Sequence, residues 1–202
     1  MKKKILTMAM AVVLLAGCGT LGNQDGILSG IDGTSILGNV LGSVLGLNKI
    51  SQENLVGTWK YSGPGCAFTS DNLLAQAGGE VASQRIKSTL LNYYNSAGIS
   101  SSNTYFTFGK DNTFTAKVAG KTVSGNYAYD PNTGQMTIKT LLFTINAYIT
   151  ASSSGISLLF ESQKLLTILQ TIGGMSGNAT LATIGELSKN YDGVRLGFDL
   201  AR

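Results

Sequence analysis

The sequence predicts a mainly β fold, a closed antiparallel barrel of eight strands with inserted helices, and two observations lead to it. In the second half of the 202-residue chain, apolar and polar residues alternate in short runs, which is typical of strands with one buried face. Turn sequences rich in Gly, Asn, Asp and Ser separate these runs, so we expect consecutive strands to pair as neighbours. An up-and-down barrel follows, because closure leaves no sheet edge exposed.

The predicted domain covers residues 55–202 and begins with a strand that is followed by a long helix. The first predicted strand is Gly57–Tyr61, and Gly63-Pro64-Gly65 predicts a turn at its end. Ser70 is a typical N-cap residue, and apolar residues recur after it at steps of three and four up to Ala97. This pattern predicts one long helix after strand 1.

After this helix, the period of the apolar pattern changes to two residues, which predicts six further strands. They are Thr104–Phe108, Thr113–Val118, Lys121–Tyr129, a strand around Met136 and Ile138, Leu141–Ile149 and Ile156–Phe160. Two predicted helices, Ser162–Ile172 and Asn178–Tyr191, precede the eighth strand, Val194–Leu200.

The candidates for lining a pocket inside the barrel are six phenylalanines at alternate strand positions: Phe106, Phe108, Phe114, Phe143, Phe160 and Phe198. The interior of an eight-stranded barrel is just wide enough to be filled by side chains or to hold one small ligand. The alternation fits both outcomes, because it indicates only that these rings share a buried face. A pocket for a small apolar ligand and a filled core therefore both stay open.

The first 17 residues have the organisation of a signal peptide. Lys2–Lys4 precede the apolar run Ile5–Ala16, which is shorter than the span of about 20 residues that crosses a membrane. The run ends in Leu15-Ala16-Gly17-Cys18, that is, a branched apolar residue, two small residues and a cysteine. This ending resembles the signal of bacterial lipoproteins.

The lipoprotein resemblance implies cleavage between Gly17 and Cys18 and attachment of acyl chains to Cys18. An aspartate at position 19 would cause retention, but this residue is a glycine, which implies release to the outer membrane. The expected partner of the N-terminus is therefore a lipid bilayer. Residues 18–54 are rich in Gly and are interpreted as the lipidated cysteine and its tether. An ordinary secretory peptide with an incidental cysteine is the alternative.

The charge of the chain argues against nucleic-acid binding. The formal net charge is +4, but three positive charges belong to the lysines of the signal peptide, which leaves +1. A nearly neutral chain without a cluster of Lys and Arg lacks the electrostatic footprint of a nucleic-acid-binding protein.

The chain contains no histidine and only two cysteines, which excludes several kinds of site. No Ser-His or Cys-His nucleophile pair and no cysteine-rich zinc site can form. No two carboxylates have a spacing that would bring them together for acid-base catalysis. We therefore expect no enzymatic activity, no metal and no cofactor. Cys66 is interpreted as a small buried side chain, and the alternative is a reactive or redox-sensing thiol.

Several short segments carry a resemblance that covers almost the entire mature chain. These segments are Leu55–Trp59, Gly63–Phe68, Asn72–Ala75, Ala77–Ala82, Ser157–Glu161, Asn190–Gly193 and Gly197–Leu200. Gly57-Thr58-Trp59 is similar to the Gly-x-Trp motif of lipocalins, and the whole chain resembles a lipocalin-like domain of unknown function found in lipoproteins of gut bacteria. The resemblance implies a lipocalin-like barrel and adds little about its activity.

In lipocalins, an arginine near the end of the chain packs over the indole of the Gly-x-Trp motif. Arg195 resembles that arginine by position, which implies a contact with Trp59 where the last strand pairs with the first. The alternative is an arginine that points to water on the outer face of the barrel. Two functions stay open. One is binding of a small apolar ligand, and the other is a structural or interaction role in the cell envelope, with a protein partner and a filled barrel.

Overall fold

The computed structural model describes residues 49–69, 80–152, 154–173 and 193–202. The predicted signal peptide, its cleavage site at Gly17 and Cys18, and the tether up to residue 48 lie outside the described residues. The same holds for the predicted N-cap Ser70 and for the predicted helix Asn178–Tyr191. In the ranges that are described, no helix is long and apolar enough to cross a membrane.

Eight antiparallel strands form a closed barrel in which strands that follow one another in the sequence are neighbours. The strands are β1 (Gly57–Phe68), β2 (Tyr105–Phe108), β3 (Thr113–Val118), β4 (Lys121–Asp130), β5 (Gln135–Thr140), β6 (Thr144–Ser152), β7 (Gly155–Glu161) and β8 (Val194–Ala201). The helices of the described ranges are α1 (Gln52–Leu55), α2 (Glu80–Ser96) and α3 (Ser162–Gly173). The predicted eight-stranded up-and-down barrel is confirmed.

The alternation of the sequence explains which side of a strand faces the interior. β8 shows this most clearly, with buried apolar residues at alternate positions: Val194, Leu196, Phe198 and Leu200. Arg195 and Asp199 lie between them, on the outer face, and are partly exposed. The buried residues of the strands join one hydrophobic core, which is stabilised by roughly 25 cal/mol per Å² of apolar surface removed from water.

β1 is longer than predicted, and the turn predicted at Gly63-Pro64-Gly65 is wrong. The strand continues to Phe68, with an irregularity in its register against β8 between Tyr61 and Gly63. Of β1, only Gly57–Lys60 pair with β2, so among the described residues the second half of β1 has a strand partner, β8, on one side alone. Proline is tolerated in such an edge-like segment, because no ladder hydrogen bond is required on its free side.

α2 packs against β1 and supplies side chains to the interior beside this second half of the strand. The apolar face predicted for the helix is buried over its described part, at Ala82, Ile86, Leu90 and Tyr93. Tyr94 is also buried, and its ring stacks almost parallel to that of Phe198, with 5.1 Å between the centroids. The helix therefore takes the place of a neighbouring strand.

The domain begins a few residues before the predicted boundary at Leu55. α1 closes one end of the barrel, which we call the base, and Leu55 is completely buried there. The hydroxyl of Tyr129 donates a hydrogen bond of 2.8 Å to the carbonyl oxygen of Ile50. The side-chain amide of Gln52 donates one of 3.0 Å to the hydroxyl of Tyr127. The segment from Ile50 to Leu55 thus belongs to the barrel and not to the tether.

The opposite end, which we call the mouth, carries the β3–β4 turn, the β5–β6 turn and α3. These connections share one end of the barrel because consecutive strands alternate in direction. Leu141, predicted to begin a strand, lies in the β5–β6 turn instead, and its side chain is 98% exposed. The hydroxyl of Thr140 fixes this turn, because it accepts hydrogen bonds from the backbone amides of Leu142 (3.2 Å) and Phe143 (3.1 Å).

Candidate functional site

An apolar pocket lies inside the barrel next to the mouth. Its empty volume is about 340 Å³ including space that is open to solvent, and only a small part of this space is wide enough for a water molecule. The lining residues are all apolar: Phe106, Phe114, Ala116, Val118, Val123, Ile138, Phe143, Ile145, Phe160, Ile168 and Phe198. Side chains therefore fill most of the interior and leave a narrow hydrophobic space.

The structure brings five of the six candidate phenylalanines together at this pocket, namely Phe106, Phe114, Phe143, Phe160 and Phe198. Phe143 is half-buried at the mouth, and the other four are buried. Phe108, the sixth candidate, does not line this pocket. Its ring packs against those of Phe114 (5.6 Å between centroids) and Tyr127 (5.2 Å) in the filled part of the barrel. Binding of a ligand by the five rings stays a prediction.

Ile168 of α3 also lines the pocket, and the strand pattern could not have indicated it. Leu165, Ile168 and Leu169 are buried together, at the spacing that places residues on one face of a helix. α3 contacts β4, β7 and β8, so it lies across the mouth. The helical periodicity is the signal in the sequence, but it does not say which surface the apolar face covers.

The described residues of the pocket offer a ligand apolar contacts and no hydrogen-bonding side chain. Binding would gain free energy from the burial of apolar surface, at roughly 25 cal/mol per Å². A polar group placed there would lose its hydrogen bonds to water without compensation, at a cost of about 1–3 kcal/mol. The chemistry of the lining therefore favours a hydrocarbon group.

At the base, Trp59 is held by Arg202. The guanidinium group of Arg202 lies 4.3 Å from the ring of Trp59. It also donates hydrogen bonds to the carbonyl oxygens of Asn54 (2.7 Å) and Val56 (2.9 Å). The indole Nε1 of Trp59 donates a bond of 2.8 Å to the carbonyl oxygen of Leu55. These contacts join the end of β8 to α1 and to the start of β1.

The predicted contact between Arg195 and Trp59 is therefore wrong, although β1 and β8 do pair as predicted. The two strands are antiparallel, and Arg195 lies opposite Ala67, near the other end of β1 from Trp59. The guanidinium group of Arg195 stacks instead on Tyr148 of β6, 3.3 Å from the ring centroid. The register of the closing pair thus places Arg202, and not Arg195, at the indole.

A polar cluster lies between β8 and α2. Asp199 is partly buried and accepts hydrogen bonds from Lys87 (2.9 Å) and Ser157 (2.6 Å). Burial raises the pKa of the Tyr61 hydroxyl to about 12, and the charge of Asp199 adds to this effect. Burial also raises the pKa of the Cys66 thiol to about 12; Lys87 opposes this rise, whereas Asp199 adds to it.

The buried Cys66 thiol therefore carries little thiolate at neutral pH, and a buried neutral thiol is inert. Asp199 is occupied by its two donors and does not face the pocket. In the part of the chain that the structure describes, no group of three Cys, Asp or Glu side chains is placed to hold a metal ion. Among the described residues, the apolar pocket is therefore the candidate site that the remaining geometry favours.

The chain is similar to a known family over most of its length. The family model described as "Lipocalin-like domain (DUF4923)" matches residues 32–202. No curated protein matches the chain. A solved structure, that of a DUF4847 family protein from Bacteroides vulgatus, is similar over 52% of this chain and 84% of its own, with 14% identity and a TM-score of 0.32. Since the family model spans all eight strands, the chain belongs to this family of lipocalin-like domains.

Proposed function

We propose that this protein is a lipid-anchored lipoprotein of the cell envelope whose lipocalin-like barrel binds a small apolar ligand. The pocket beside the mouth carries the binding proposal, because five phenyl rings and six aliphatic side chains surround it. A group that leaves water for this space is stabilised in proportion to the apolar surface that it buries. The narrowness of the space favours a slender group, such as a single hydrocarbon chain.

The anchor is proposed from the sequence. The basic start, the apolar run and the ending Leu15-Ala16-Gly17-Cys18 support cleavage after Gly17 and lipidation of Cys18, with residence at the outer membrane. Several acyl chains make a stable anchor, since each buried CH₂ contributes about 0.8 kcal/mol. A Cys18→Ser variant should accumulate as an unprocessed precursor that incorporates no labelled palmitate. Incorporation by this variant would contradict the proposal.

A matched pair of alanine substitutions tests the pocket. Ala116 lines the pocket, whereas Ala128 lies on the exposed face of β4. We expect dodecanoate to raise the melting temperature of the wild type and of Ala128→Leu but not of Ala116→Leu, because the larger side chain occupies the space of the ligand. Native mass spectrometry of protein purified from its own membranes should show a bound small molecule that Ala116→Leu lacks. An empty wild-type barrel without a thermal shift would contradict the proposal.

A non-catalytic structural or interaction module with a filled core is the second candidate. The observation that favours it is the small part of the pocket that a water molecule could enter, because a well-packed interior leaves little room for a ligand. On this proposal the partner is another protein of the envelope, and Ala116→Leu should leave that association unchanged. Neither candidate requires catalysis, nucleic acid, a metal or a cofactor.

A further inference from the structure

We infer that the β5–β6 turn is a membrane-contacting element, which places Leu141 and Leu142 in the surface of an anionic lipid bilayer. The side chain of Leu141 is 98% exposed and that of Leu142 is 59% exposed. Among the described residues, the other large exposed hydrophobic side chains are Val81 and Leu91, which lie apart from each other on α2. The turn therefore holds a pair of adjacent leucines in the solvent, where contact of their apolar surface with water is unfavourable in free energy.

The hydrogen bonds of the turn keep the two leucines outside the barrel. Besides accepting bonds from the amides of Leu142 and Phe143, the hydroxyl of Thr140 donates one of 3.1 Å to the carbonyl oxygen of Phe143. The backbone amide of Thr140 donates to the same carbonyl oxygen at 2.9 Å. The amides of Thr140, Leu142 and Phe143 and the carbonyl oxygen of Phe143 thus have partners within the turn, which lowers the cost of moving these groups from water into a less polar layer.

The charges of the described residues differ between the two ends of the barrel. The charges in question are those of the two residues of each strand that lie nearest an end and those of the turns and helices next to them. The charged residues at the mouth are Lys117, Lys121, Lys139, Lys164 and Arg195, with Glu161 as the carboxylate among them. Those at the base are Lys49, Lys110 and Arg202, with Glu53, Asp111 and Asp130. Over the residues that the structure describes, five positive charges and one negative charge therefore lie at the mouth, whereas three of each lie at the base.

An anionic lipid surface fits both features of the mouth. Lysines and arginines near a bilayer are attracted to anionic headgroups, and apolar side chains enter the boundary between headgroups and acyl chains. A second copy of this chain would bring two basic ends together, which opposes self-association through the mouth. The inference concerns the outside of the turn and does not require a ligand in the pocket.

Bimane labels attached to single introduced cysteines test this contact on the full chain in vesicles. Thr144→Cys places the label on the exposed residue beside the turn and keeps both leucines, and the control Asn132→Cys places it in the exposed β4–β5 turn at the base. Cys66 is buried and stays unlabelled. In vesicles of phosphatidylcholine and phosphatidylglycerol that contain nitroxide lipids, quenching should be several-fold stronger at the mouth. Both variants would carry the same acyl anchor, so the anchor would not cause a difference in quenching between them.

Equal quenching at the two positions would overturn the inference. The inference would also be overturned if the label at position 144 were shielded from iodide in the water but were not quenched by the nitroxide lipids. That result would show that the turn contacts a protein. In the Thr144→Cys background, Leu141→Ser with Leu142→Ser should abolish the excess quenching, whereas Leu91→Ser on the exposed side of α2 should keep it. Vesicles of phosphatidylcholine alone should give several-fold weaker quenching, and an unchanged signal would refute the role of the anionic headgroups.

Discussion

The indole of Trp59 is packed under a guanidinium group, and the loss of that group should lower stability. Arg202→Lys keeps the positive charge but loses the planar fork that reaches two carbonyl oxygens. We expect the free energy of unfolding to fall by about 1 kcal/mol, since a cation over an aromatic ring contributes about 0.5–2 kcal/mol. Urea denaturation followed by the fluorescence of Trp59, the single tryptophan, measures this change. Arg85→Lys on the exposed side of α2 should leave stability unchanged.

The buried thiol of Cys66 predicts a loss of stability at alkaline pH. Its pKa rises from an ordinary value of 9.0 to about 12 in the folded protein, mainly through burial. The folded state keeps a proton that the unfolded state releases, so this contribution is complete below pH 9 and is lost as the pH rises towards 12. The slope for one such group is about 1.4 kcal/mol per pH unit.

The contribution of Tyr61 to the free energy of unfolding is also lost as the pH rises. The loss begins at a higher pH, because the ordinary pKa of the tyrosine hydroxyl is 10.0. In Cys66→Ala, the alkaline decline should therefore begin near pH 10 instead of pH 9. Urea unfolding at a series of pH values locates the onset for both proteins. An onset at the same pH in both would show that the thiol does not contribute.

At the scale of the strand, two glycines of β1 should respond differently to alanine. A Cβ atom on Gly65 would lie 2.9 Å from Cδ2 of Leu159 and 3.1 Å from Oδ1 of Asp199, whereas Gly63 has no atom within 4 Å of that position. We expect Gly65→Ala to lower the free energy of unfolding by about 1–3 kcal/mol. Gly63→Ala should leave it unchanged or raise it by about 0.4–1 kcal/mol. Chemical denaturation compares the two, and equal effects would contradict the packing around Gly65.

The elements that sequence analysis located correctly are those whose signal is local. Alternation in β8 and the three- and four-residue steps in α2 depend on neighbouring residues only. β8 lies where it was expected, and α2 lies within the predicted helix, whose first residues are outside the described ranges. Gly63-Pro64-Gly65 was misread because its extended conformation depends on pairing with β8, which is remote in the sequence. Leu141 was misread because the apolar alternation runs through it, while the hydroxyl of Thr140 folds the chain into a turn.

The candidate site shows the same limit. Alternation identified the face on which six phenylalanines lie, but not their height along the barrel axis, so it could not separate Phe108 from the five that meet at the pocket. The register of β1 against β8 determines which arginine contacts the indole of Trp59, and it places Arg202 there instead of Arg195. The sequence of a single strand determines which of its faces is buried. The height of a residue along the barrel axis and the register between two strands depend on how the strands pair when the barrel closes.

Over the residues that the structure describes, the two ends of the barrel differ. The base is sealed by α1 and by the hydrogen bonds of Tyr129 and Arg202, whereas the mouth has a basic rim, two exposed leucines and a pocket beneath α3. A polarity of this kind orients a barrel relative to whatever surface it approaches. The base suits attachment of the preceding chain, and the mouth suits contact with apolar material.

Pairing of the first strand with the last also governs how the chain is made. β1 leaves the ribosome long before β8 exists, so its hydrogen-bonding edge stays open throughout synthesis. β7 exposes a second open edge in the same period. Such edges can pair with those of other nascent chains, and a fold that depends on distant contacts is slow to remove them. A chaperone that holds the unfolded chain would therefore raise the yield of closed barrels, and it would have no further role once β8 has paired with β1 and β7.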